Sequence, residues 1–244
     1  MVNKVQQPDY SSTWKHSLEE DGWYKAHEAL RADFAAVTQM FANFSAQLAA
    51  GRAISRTQAE AADRYFKAFL AFFEHHHYNE EEFAMPYIQT RCQFPEKISA
   101  GHQQLEALLA QLGNQMAALF SPEAKTAEQQ RPLLEAAAAT FGELKPLTLA
   151  HLAEEEAEAM PLMRRHFTPQ EISKHVVTKI VRSMNGENFG VYMRPMTREQ
   201  FRAFAKQEGM PFFIRWIIGH QVSQYKKKVW QPFERECLQA GGSA

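Results

Sequence analysis

Cysteine is scarce: the 244 residues hold two, Cys92 and Cys237, with no spaced framework. That argues against structural disulfides and for a reducing compartment. Long apolar runs are also missing. No stretch reaches the roughly 20 residues that a membrane-spanning helix needs. The opening stretch, Met1 to Tyr10, is polar and lacks the apolar centre of a secretory leader. Together these lead to the expectation of a soluble, cytoplasmic protein that makes no membrane contact. Alternation of apolar and polar residues, the mark of a half-buried strand, is absent, and β-branched stretches are few.

What is present favours helix. Ala, Glu, Leu and Gln dominate long segments, hydrophobic residues make up 45% and there are 18 phenylalanines, enough for a full core. Apolar stripes at helical spacing predict helices from about Leu18 to Ala50, Ser55 to Thr90, Glu96 to Phe120, and from beyond Lys125 to His166. Gly51 should stop the first, and Pro86 should kink or end the second. Four long helices with short links imply an all-α fold: an antiparallel up-down-up-down four-helix bundle over residues 1–166. Residues 167–244 read as a C-terminal helical extension packed on it. Capping boxes at Thr168–Glu171 and Thr197–Gln200 open two of its helices. Asn185 to Pro195 reads as a loop with Gly186 and Gly190, and an apolar helix with Phe212, Phe213, Trp216, Ile217 and Ile218 follows Pro211. The stretch before the first helix, with Trp14 and His16, reads as a lid.

Charge is unevenly spread: residues 1–166 carry 15 Lys and Arg against 22 Asp and Glu, and residues 167–244 carry 12 against 6. A basic segment suits nucleic acid or membrane in general. Docking on the acidic part of the same chain is the preferred reading, and with no helix-turn-helix signature no nucleic-acid partner is expected.

The chemistry lies in a repeat. His76-His77-Tyr78-Asn79-Glu80-Glu81-Glu82-Phe83-Ala84-Met85-Pro86 returns as His151-Leu152-Ala153-Glu154-Glu155-Glu156-Ala157-Glu158-Ala159-Met160-Pro161, every position displaced by 75 residues. His27 and His102 share that displacement. On a helix, residues i and i+4 lie on one face, so His76 with Glu80, and His151 with Glu155, can reach one ion. Imidazole and carboxylate together suit iron, zinc or manganese. The candidate metal ligands are therefore His27, His76, Glu80, His102, His151 and Glu155, enough for two ions bridged by the carboxylates. Buried carboxylates without partners are costly, and metal removes that cost.

Flanking residues get plainer readings. His75 and His77 are rotated about 100° either side of His76 and should face a neighbouring helix or solvent. Glu81, Glu82, Glu154, Glu156 and Glu158 read as a solvated acidic face. Glu106, four residues past His102, is either an edge residue or an extra ligand. Arg31 is placed to pair with a carboxylate. His16, His166, His175 and His220 lack partner spacing.

His27, the two His-x-x-x-Glu pairs, His102 and the following Met-Pro together resemble the hemerythrin, or HHE cation-binding, family over about residues 18–166. The resemblance implies a four-helix bundle with a non-haem centre of two iron ions, Glu80 and Glu155 bridging and the histidines terminal. The chain departs from the classical oxygen carriers, with Glu106 in place of a second third-helix histidine and a shorter spacing to the last-helix carboxylate. The expected function is binding of O2 or a related small oxidant, NO or peroxide, for sensing or stress protection. Alternatives are a di-iron oxidase or peroxidase, or an iron-handling or interaction protein. The Glu-x-x-His order of ferritin-like oxidases is not read on either ligand helix, which makes the enzyme the second choice.

Overall fold

A computed structural model describes residues 8–239; residues 1–7 of the polar opening stretch and 240–244 of the basic extension lie outside the described residues. The described chain is all helical, with no strand. Helix α1 spans Gly22–Ala49; α2 spans Arg56–Asn79 and continues to Ile88; α3 spans Glu96–Leu119; α4 spans Ala127–Glu154 and continues to His166. In the extension, α5 runs from Pro169 to Ser183, α6 is Gly186–Met193, α7 is Arg198–Gln207, and α8 starts at Phe212 and continues to Leu238.

Local chemistry sets these limits. The Asp21 carboxylate accepts from the Trp23 amide, so α1 starts at Gly22, later than Leu18. Gly51, at φ +73°, turns the chain out of it. Reciprocal capping boxes open α2 (Ser55 with Gln58), α4 (Thr126 with Gln129), α5 (Thr168 with Glu171) and α7 (Thr197 with Gln200).

Pro86 does not end α2. Five residues of wider π-helix, Glu80–Ala84, come just before it, and the α-helix resumes at Met85. The same happens at Glu155–Ala159 before Pro161 and at Lys226–Trp230 before Pro232. A proline has no amide to donate and its ring crowds a carbonyl one turn back; a π-turn relocates that carbonyl, and such turns gather at functional sites. Pro146, inside α4, is carried without one.

Helix α3 packs on α4, α4 on α1, α1 on α2 and α2 on α3. Their apolar residues form two clusters. The larger holds Leu30, Phe34, Phe69, Phe73, Leu105, Leu144 and Leu152 among others, and the smaller holds Ala84, Met85, Ile98, Ala159 and Met163, with Trp23 against it. Along α1 and α3 the chain passes from the smaller cluster to the larger; along α2 and α4 it passes from the larger to the smaller. Between the two clusters, each helix contributes one polar layer.

The segment 185–195 is not a loop. Asn185 caps α6 by accepting from the Glu187 and Asn188 amides, and Gly190 is a contact glycine: a Cβ there would lie 2.2 Å from the Tyr225 side chain. The extension shares the main core, since Val191, Tyr225, Val229, Phe233 and Cys237 belong to the larger cluster. Phe233 stacks on Tyr65 at 3.8 Å between ring centroids. In α8 the buried positions are Ile218, Tyr225, Val229, Phe233 and Cys237, while Phe212, Phe213, Trp216 and Ile217 are exposed. One buried ion pair, Asp33 with Arg194, ties the extension to α1, and Tyr65 donates to Asp33 at 2.6 Å. Trp14 packs against the smaller cluster and donates to the Phe167 carbonyl, closing that end.

Candidate metal centre

The polar layer is made of the six residues singled out by the repeat. His27 comes from α1, His76 and Glu80 from α2, His102 from α3, His151 and Glu155 from α4. All six are buried; His76 and His151, the most exposed, each retain 6%. Their ligating atoms fall into two groups of four, His27, His76, Glu80 and Glu155, and His102, His151, Glu80 and Glu155, with the atoms of each group within 4.8 Å of one another. Both carboxylates belong to both groups.

Each carboxylate divides its oxygens between the groups. Glu80 turns Oε1 toward His76 Nε2 at 3.1 Å and Oε2 toward His102 Nε2 at 3.4 Å. Glu155 turns Oε2 toward His27 Nε2 at 3.1 Å and Oε1 toward His151 Nε2 at 3.2 Å. None of these four imidazole nitrogens has an aligned hydrogen bond, and neither have both oxygens of Glu155 and Oε2 of Glu80. Buried polar atoms normally find partners. Seven orphaned atoms converging on two points are what a pair of cations would satisfy, so these buried groups can hold metal.

The far nitrogens of two rings are held. His27 Nδ1 lies 2.7 Å from Glu156, and His102 Nδ1 lies 2.8 Å from Glu81. A carboxylate on one imidazole nitrogen fixes the tautomer and aims the other at a metal. This corrects the reading of Glu81 and Glu156 as solvated: Glu81 is 42% exposed and Glu156 18%, yet each meets a histidine of the layer. The sequence did carry the signal, since 81 and 156 keep the repeat's displacement. Placement on a straight helix hid it, because each of these residues lies inside a π-turn. Arg31 pairs with Glu156 at 2.8 Å, as its position suggested. Glu154 and Glu158 face outward and meet Lys97.

Three further residues lie on or beside the layer's helices, and Glu106 takes the edge reading of the two it was given. Glu106 is exposed, on the outer face of α3, and is in neither group. His77 faces neighbouring helices, the first of the two readings it was given; it is buried at 1% and groups with His102 and His151. It closes the sequence Glu74-His75-His76-His77, so a Glu-x-x-His order is present on α2 after all, but Glu74 is exposed and only its histidine enters the layer. Trp23, unremarked in the sequence, donates from Nε1 to Glu80 Oε1 at 2.6 Å. His75 stays outside, near Ser183.

No family model, curated protein or solved structure matches the chain.

The electrostatics follow from burial and neighbours. Burial alone lowers His27, but Glu155 and Glu156 carry it up to about 9. His102 is likewise depressed by burial and lifted by Glu155, Glu80 and Glu81 to about 10. Burial drives His76 well below its ordinary value, and His77 down to about 3. The carboxylates diverge: burial, and then Glu155, raise Glu80, while Glu155 is pulled well down because contacts with His102, His151 and His27 outweigh its burial. In the metal-free chain, protons on His27 and His102 offset carboxylate charge.

Proposed function

We propose that the chain is a hemerythrin-like protein whose α1–α4 form an up-down-up-down four-helix bundle around two non-haem iron ions, and that it binds O2 or a related small oxidant, NO or peroxide, for sensing or stress protection. The observation that carries the reading is the division of Glu80 and Glu155 between two histidine groups, the arrangement a carboxylate-bridged pair of ions requires. Bound there, iron would supply redox chemistry and a position for a small ligand. The protein's part is to hold that chemistry in place: His27 and His76 serve one position, His102 and His151 the other, and Glu156 and Glu81 set two of the rings. The apolar clusters on either side of the layer keep water away from it. Nitrogen and oxygen donors without thiolate fit iron, and also zinc or manganese. The closed layer favours a very small ligand: surface hollows at Gln89–Glu96 and beside Lys25 and Pro195 are lined by other residues. Residues 1–166 would be the metal-binding part and 167–244 the extension that braces it.

Spectra of the reduced, iron-loaded protein titrated with O2, NO and peroxide test the ligand. A stoichiometric, reversible change in absorbance supports binding. Turnover of peroxide or a reductant over many cycles would point instead to an oxidase or peroxidase.

A further inference from the structure

The repeat that builds the centre is broken at one inward position. Residue 77 is histidine; its counterpart one repeat later is Leu152. Both are buried, so the difference lies inside the layer. His77 stacks on His102, ring centroids 4.3 Å apart, and meets the His151 ring edge-on at 5.8 Å. It offers a nitrogen within 4.8 Å of ligating atoms of both. Neither of its ring nitrogens has a hydrogen-bond partner. A histidine kept only to fill space would bury two polar atoms for nothing, at a cost that leucine at the matching site avoids.

The group around His27 and His76 has no such addition. One of its two carboxylate oxygens, Glu80 Oε1, also holds the Trp23 N–H. We infer that His77 is a seventh ligand, so that the two metal positions are unequal: the one at His102 and His151 draws on three imidazoles, and the one at His27 and His76 on two. The inference rests on the two-metal reading above. Its consequence is ordered loading. The first equivalent of metal enters the three-imidazole position, and the second enters the poorer one with lower affinity.

The test is an anaerobic titration of the metal-free, full-length protein with cobalt(II), followed by visible absorbance. The wild type should fill in two phases whose affinities differ by about tenfold or more, the scale on which ligand-shell changes act. His77→Leu, which installs the residue the repeat has at 152, should still take two ions, with the phases drawn to within a few-fold by weakening of the tighter one. A separate measurement needs no variant: X-ray absorption of wild type carrying one equivalent should count three imidazoles on the metal. Two imidazoles there, or a His77→Leu titration identical to wild type, would overturn the inference while leaving the two-metal reading intact. Failure of the wild type to bind cobalt, iron or zinc at all would remove both.

Discussion

A glutamate one position along from a candidate ligand can decide how another is aimed. Glu81 and Glu156 touch no metal position, yet each holds the far nitrogen of a histidine on a neighbouring helix. Removing such a partner typically costs about 10–100-fold in metal affinity. Glu81→Ala and Glu156→Ala are therefore expected to weaken binding by that factor without changing the number of ions, as read by competition with a chelator of known affinity. His76→Ala and His151→Ala should each lose at least one of the two ions, and His75→Ala should bind like wild type. Equal loss in all three histidine variants would mean the register is wrong. At this scale the sequence was informative where chemistry and spacing coincided: six residues at one fixed displacement were enough to place the layer. It gave His77 no part in the layer because the repeat, used as the guide, has no histidine there to match. It misled on Glu81 and Glu156 because helical-wheel placement assumes an unbroken α-helix.

Among the elements, α1 shows how a cap reaches the site. Asp21 caps the helix that carries His27 and also pairs with Arg164. Burial raises its pKa, but His16, the Trp23 amide and Arg164 around the carboxylate outweigh this and hold it below its ordinary value. A depressed carboxylate stabilises the fold at pH above its unfolded value, and that contribution disappears as pH falls through the folded value. Asp21→Ala should thus cost at least about 1 kcal/mol at pH 6, and its deficit in urea melts should shrink as pH falls below the ordinary aspartate range; a deficit that does not change with pH would contradict this account. Helix α6 makes the opposite point about glycine. The pair Gly186 and Gly190 looked like loop punctuation, but Gly190 is where α6 meets Tyr225 too closely for any Cβ. Gly190→Ala should destabilise by about 1–3 kcal/mol, the usual cost of overpacking, although alanine is the better helix former. Thermal melts that are unchanged or raised would show that the contact gives way.

Over the whole molecule, the acidic and basic halves are joined less by general charge than by shared core and one buried pair. Asp33 is fully buried, and Arg194 meets it while lying 4.1 Å over the Trp230 ring. Removing one member of such a pair strands the other. Arg194→Met should cost about 3–5 kcal/mol, and adding Asp33→Asn should recover much of it; additive losses in denaturant melts would mean the two do not depend on each other. The helical class was plain from composition and periodicity. The way the extension is woven in was not, because its most conspicuous apolar residues, Phe212, Phe213, Trp216 and Ile217, lie outside, while Tyr225, Val229, Phe233 and Cys237 lie within. Hydrophobicity alone does not say which face of a helix finds a partner.

The central claim is that the polar layer between the two apolar clusters is a cage for two metal ions. Elemental analysis of the full-length protein after anaerobic reconstitution with iron(II), freed of loosely held metal, tests it most directly. Two irons per chain are expected, falling to one or none in His76→Ala and His151→Ala with helix content kept. No retained iron in the wild type, or the same iron content in wild type and both variants, would contradict it.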